Sequence, residues 1–301
     1  MNGKDLTALF TLAAIWGSSF LFMKIAAPAL GPVFTTELRV SIAGLILLAY
    51  AFFSKHRLSI LGKWKQFLLL GALNAAIPFS LICMAELSIN ASLAAILNAT
   101  TPMFTALIAW GWTREALTRF KMAGLLIGLI GVVVLVGWTP MPLGKTGFFS
   151  VLFSLLAAIS YGFGGIYTTR AFKGIKPLDM AIGQQFGAGL LLLPLALLYF
   201  PKQMPPVEAV YSILGLSIMC TSVAYLIFFR LITNIGAVKA ISVTLLVPIF
   251  GIVWGVLFLK EEVHLYTVVG LFIILLGVYL SSKKSAVKKV DTQVSQLGSA
   301  S

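Results

Sequence analysis

Apolar residues fall into ten long runs separated by short polar stretches, at 6–28, 34–53, 65–84, 92–112, 119–138, 146–169, 179–199, 208–230, 238–259 and 264–282. A helix that crosses a bilayer needs about 20 predominantly apolar residues, and these runs have that length. They show little of the two-residue alternation of strands. Only helices and closed barrels satisfy every backbone group inside lipid. The pattern therefore predicts an all-α membrane protein with ten transmembrane helices.

The runs repeat. An offset of 145 pairs Gly17 with Gly162, Pro32 with Pro177 and Gly44 with Gly189. An offset of 146 then pairs Ala91 with Ala237, Pro102 with Pro248, Glu115 with Glu261, Gly124 with Gly270 and Gly131 with Gly277. Apolar composition alone would not bring Gly, Pro and Glu into register. The repeat divides the chain into a five-helix unit over 1–140 and a second over 141–282, followed by a polar tail at 283–301 expected to be a disordered, solvated end. Each unit has an odd number of spans, so the second lies inverted with respect to the first. Inverted repeats are the sequence signature of secondary transporters, with the substrate site where the repeats meet.

Composition agrees, and charge orients the chain. The sequence is 59% hydrophobic and 10% charged with a mean hydropathy of +1.01, against about 25% charged for a soluble domain. With the N-terminus in the cytoplasm, 17 Lys and Arg fall in cytoplasmic segments and three, Lys145, Lys202 and Lys260, on the other side. That asymmetry predicts both termini in the cytoplasm. The net charge of +13 is then a topology signal and an attraction to anionic lipid, with no call for a nucleic-acid partner. The first run resembles a secretory leader around Ala26, Ala27 and Ala29, but it exceeds the roughly 7–15 apolar residues of such a leader and has a counterpart in the second repeat.

Enzyme chemistry is not apparent. The three Asp and two His lie in loops, tails or span ends, so no paired acids occupy a span centre and no imidazole stands ready to activate a nucleophile. HExxH and GxxxxGK[ST] motifs are absent. Cys83 and Cys220 fall within spans without metal or disulfide spacing. No catalytic residue, metal or cofactor is expected.

Trp16-Gly17-Ser18-Ser19-Phe20, then Lys24, then Arg39 in the next run resemble the opening of an EamA domain; Pro102, Arg114-Glu115-Ala116-Leu117 and the Gly124–Gly131 run resemble its close. The second copy repeats the close with Pro248, Lys260-Glu261-Glu262, Gly270 and Gly277, whereas its opening has Tyr161-Gly162 and carries Gln184 where the first has Arg39. The resemblance spans about residues 6–282 and points to the ten-span branch of the drug/metabolite transporter superfamily. It implies transport of small metabolites, commonly outward, and an exporter in a bacterial inner membrane is expected. Uptake, multidrug export on the same fold, and a receptor or membrane enzyme that kept the fold are the alternatives.

Particular residues refine this expectation. Pro102 and Pro248 sit at matched mid-span positions, where a proline frees a carbonyl and bends the helix; the bends serve either packing or a cavity between them. Lys24 lies about 10 Å from its span centre and Arg39 about 6–7 Å at 1.5 Å per residue. Lys24 is close enough to the interface to snorkel, while Arg39 needs a partner, for which Glu37 and Glu86 are nearest in depth. The resemblance supplies a contrast: the four-helix multidrug exporters of the superfamily hold cations with a carboxylate deep in the first span, where this chain has Trp16, Ser18 and Ser19. A cavity without a deep carboxylate cannot offset the desolvation of a cation, so neutral, zwitterionic or anionic solutes such as amino acids are expected, without proton coupling through a buried acid. Trp16, Ser19, Asn74, Phe79, Asn98, Tyr161, Thr221, Tyr225 and Thr244 are the candidate substrate contacts, each of which could instead be ordinary interhelical hydrogen bonding or packing. Partners are then a small-molecule substrate and the bilayer; a monomer suffices.

Overall fold

In the computed structural model, residues 2–115, 117–138 and 145–282 are described; the predicted tail at 283–301 lies outside them. They form ten apolar helices: α1 Gly3–Leu30, α2 Pro32–Phe53, α3 Trp64–Glu86, α4 Ala91–Trp112, α5 Arg119–Trp138, α6 Lys145–Ala171, α7 Pro177–Leu198, α8 Val207–Ile235, α9 Lys239–Leu259 with its first turn at Ala237, and α10 Leu265–Ser281. Short loops make successive helices cross in opposite directions. One face of the bundle thus carries both ends of the described chain (the terminal face), together with Glu115 and Ala237; the opposite face carries Ala91 and Glu261. Among the described residues there is no strand.

Two single-residue connections explain how consecutive helices reverse so tightly. Gly31 (φ 79°) joins α1 to α2 and Gly236 (φ 83°) joins α8 to α9, in a backbone region that an L side chain rarely enters. Pro32 then opens α2, where its missing N–H costs nothing.

The repeat-matched glycines are points of backbone contact. A Cβ on Gly17 of α1 would lie 2.7 Å from Phe250 Cβ in α9, and one on Gly162 of α6 would lie 2.8 Å from Ile108 Cδ1 in α4. Each opening helix is thereby pressed against the fourth helix of the other repeat. Away from these, α5 and α10 pair through their own glycines, with a Cβ on Gly131 falling 2.9 Å from Ile274 N and one on Gly277 falling 2.6 Å from Gly128 N. Close approach through small residues replaces hydrophobic driving force inside lipid. Large apolar side chains face outward, as with Phe52, Leu198 and Phe272.

Four helices depart from ideal geometry, in matched pairs. α4 breaks between Ala91–Asn98 and Thr101–Thr113, and α9 passes through a 3-10 turn at Ser242–Leu245 before Val247–Leu259. Pro102 and Pro248 each open the second piece. α3 and α8 instead widen into π turns at Ala72–Ala76 and Gly215–Val223, a distortion that collects at functional sites.

Candidate functional site

These distorted helices, with α1, α2, α6 and α7, enclose a central cavity of about 1080 Å³. Its deep end is bounded by Trp16, Met23, Ile82 and Ala95, and it runs out to the terminal face past Ile241, Lys121, Glu115 and Ser282. The opposite face is shut. There the Glu261 carboxylate accepts from the N–H groups of Ala91 at 2.7 Å and Ser92 at 3.0 Å, and from the Ser92 hydroxyl.

Eight of the nine candidate contacts, Trp16, Ser19, Asn74, Phe79, Asn98, Tyr161, Tyr225 and Thr244, line the cavity, as do Pro102 and Pro248. Asn74 lies in the π turn of α3. Asn98 ends the first piece of α4, and its Oδ1 is a buried acceptor with no hydrogen-bond partner among the described residues. The ring of Trp16 packs 5.3 Å from Phe228, and Phe79 meets Tyr161 edge-on at 6.3 Å.

Thr221 is the exception. It is 1% exposed, behind the wall, and its hydroxyl accepts from Arg39 Nε at 3.1 Å. The π turn of α8 sets this position, since the same hydroxyl donates five residues back to Leu216 O at 2.8 Å.

Arg39 lies at the cavity wall and is 4% exposed. The expected ion pair with Glu37 or Glu86 is not formed. Glu37 is two residues away on the same helix, a spacing that turns side chains apart, and takes its hydrogen bond from Ser41 at 2.6 Å. Glu86 is fully buried, and neither carboxyl oxygen has a hydrogen-bond partner among the described residues. Arg39 instead stacks its guanidinium over the Phe79 ring at 3.7 Å and reaches Met23 Sδ at 3.5 Å. A guanidinium has five N–H groups in a fixed fork, and Thr221 and Met23 engage two of its nitrogens. A cation is thus held on the cavity wall by an aromatic face and neutral acceptors.

The Lys24 ammonium reaches toward the end of its span and donates to the carbonyls of Glu86 at 2.5 Å and Ile89 at 2.9 Å. Glu86 ends α3 and Ile89 lies in the turn that follows it, where intrahelical donors have run out. Lys24 fastens α1 to the shut end of the bundle and is not a cavity residue.

Gln184 was not among the sequence candidates. It lines the cavity and donates from Nε2 to the Tyr225 hydroxyl. The offset of 145 carried the signal, because it matches Gln184 to Arg39: both repeats send the residue at this place to the cavity. Phe228 and Phe229 complete the aromatic wall beside Tyr225, whose ring stacks on Phe229 at 5.7 Å. No group of three His, Cys, Asp or Glu suited to a metal occurs among the described residues.

Comparison with known proteins places this architecture. The profile of the EamA-like transporter family matches the chain twice, over residues 4–137 and 148–283. The chain belongs to the EamA-like transporter family. Similar full-length relatives include the transporter YoaV of Bacillus subtilis, 22% identical over 95% of this chain and 99% of YoaV, and a transporter of Archaeoglobus fulgidus, 29% identical over 94% and 99%. The inner membrane transporter YedA of Escherichia coli is 25% identical over 82% of this chain and 80% of its own. A solved crystal structure superposes with a TM-score of 0.67 over 94% of this chain and 97% of the other, at 16% identity, which speaks to the fold. As a member of this family the chain is a multi-pass membrane transporter.

Proposed function

We propose that this EamA-like protein is a secondary exporter of small neutral, zwitterionic or anionic solutes, amino acids among them, in which the units 1–140 and 141–282 rock about the central cavity. The observation that carries the substrate class is Arg39. The deep cavity presents a guanidinium with neutral partners and no carboxylate, so an anionic group gains a charge-assisted partner there while a cation would meet a like charge. The unpartnered Asn98 Oδ1 suits an N–H or O–H of the same solute. The walls of Trp16, Phe79, Tyr161 and Phe228 suit an apolar body, and few polar contacts let a solute leave again.

The positive-inside asymmetry puts both termini in the cytoplasm, and the relationship to YedA supports the cytoplasmic membrane of a bacterium. In that orientation the open end of the cavity faces the cytoplasm, from which an exporter loads. The reading is tested by comparing solutes in the medium of cells with and without the gene, then measuring flux of each enriched compound into inverted vesicles. Uptake of amino acids or organic anions that depends on the protein is expected. Binding without flux would make it a receptor, and flux confined to lipophilic cations would overturn the substrate class.

A further inference from the structure

Glu115 and Glu261 occupy matched positions on turns of the same shape. Arg114 and Lys260 before them both take a left-handed backbone with φ 55°. The glutamate N–H then returns to Ala109 O at 3.4 Å in one turn and to Gly255 O at 3.1 Å in the other. Their side chains differ. Glu261 binds the first two N–H groups of α4, at Ala91 and Ser92. The matched groups for Glu115 are those of residues 237 and 238, which open α9 on the terminal face. The Glu115 side chain is instead 57% exposed on the cavity wall, with Lys121 Nζ at 3.5 Å from its carboxylate.

From this we infer that Glu115 and Glu261 are exchanging latches of transport: the second shuts the opposite face in the state seen, and the first shuts the terminal face by seizing the N–H groups of 237 and 238 when Glu261 lets go. The inference rests on the alternating-access reading above. Its chemistry is the same at both ends. A carboxylate satisfies two backbone donors that have no intrahelical acceptor, and the bonds are charge-assisted. Inverted symmetry supplies the second state, since each repeat must be able to adopt the arrangement the other holds.

The two latches are unequal, and the inequality gives the direction of bias. Ser92 adds a hydroxyl donor to Glu261, whereas the matched residue type is valine, which has none. At Gly255 a Cβ would stand 2.6 Å from Ser92 Oγ, so that latch closes only over a glycine; the matched residue is Ala109. The terminal latch therefore has one donor fewer and a methyl group in its way, and the protein rests open on the terminal face.

The test uses the full chain in liposomes with spin-label pairs across each mouth, at Arg119 and Lys239 on the terminal face and at Leu87 and Glu262 on the other. Glu261→Gln should move the population toward the state open on the opposite face, shortening the terminal pair, and Glu115→Gln should move it the other way. Each shift is expected at about tenfold in the population ratio, the scale of a lost charge-assisted bond. Ser92→Ala removes a single donor and should shift in the direction of Glu261→Gln by less, which keeps the test alive if that variant fails to insert. Glu115 is exposed, so a merely structural role predicts no shift from its variant. Shifts in the same direction, or none in Glu115→Gln, overturn the latch. Solute flux by the unaltered protein is read separately: flux without opposite shifts removes the latch and leaves transport standing, whereas opposite shifts without flux of any solute remove the transport reading and leave a two-state gate.

Discussion

Arg39 is buried beside Thr221, Met23 and Phe79, and its charge has no carboxylate within salt-bridge distance among the described residues. Its depth was readable in the sequence, because position along a span converts directly to distance from the bilayer centre. Its partners were not, since they depend on which way the helix faces. Glu37 is close in sequence and turned elsewhere, and Thr221 comes from the other repeat through a π turn that no residue type announces. Arg39→Ala should lower flux of anionic or zwitterionic solutes by about tenfold or more, the value of a charge-assisted bond. Because no carboxylate is bonded to Arg39, the melting temperature should fall little. Arg39→Lys keeps the charge but not the planar stacking on Phe79 and should fall between. Proteoliposome flux beside a thermal melt separates these outcomes; a large loss of stability in Arg39→Ala with flux per folded molecule unchanged would make the residue structural.

The helices themselves were largely readable, since an apolar run of spanning length leaves few alternatives in lipid. The prolines were readable as bends, although each proves to open the second piece of a broken helix rather than to kink a continuous one. The matched glycines carried the packing in their spacing. Gly277 faces Gly124 and Gly128 so closely that a Cβ would fall 2.6 Å from Gly128 N and 2.7 Å from Gly124 O. Backbone cannot yield as a side-chain tip would, so Gly277→Ala should cost at least about 1–3 kcal/mol, the usual penalty of overpacking. Fluorescence-detected gel filtration after heating would register this as a lower melting point than for Leu126→Ala, a change at a residue 59% exposed on the lipid side of α5. Equal melting points would mean that the α5–α10 seam can spread without loss.

For the molecule as a whole, the repeat was the most informative pattern, because it implied both the fold and the place of the site. What the repeat could not give was the state: identical turns at Glu115 and Glu261 are closed at one end and open at the other. Orientation belongs to the same scale. Reporter fusions after Lys55 and after Lys202 should read cytoplasm and periplasm respectively, and periplasmic activity at Lys55 would reverse the assignment of loading and release. The central claim is that both sides of the membrane reach one cavity in turn, and Asn98 at its deep wall reports this most directly. In a chain carrying Asn98→Cys, with Cys83→Ala and Cys220→Ala, a membrane-impermeant maleimide should label residue 98 in inverted vesicles and, more slowly, in right-side-out vesicles. Labelling from one side alone, or from neither, would contradict it.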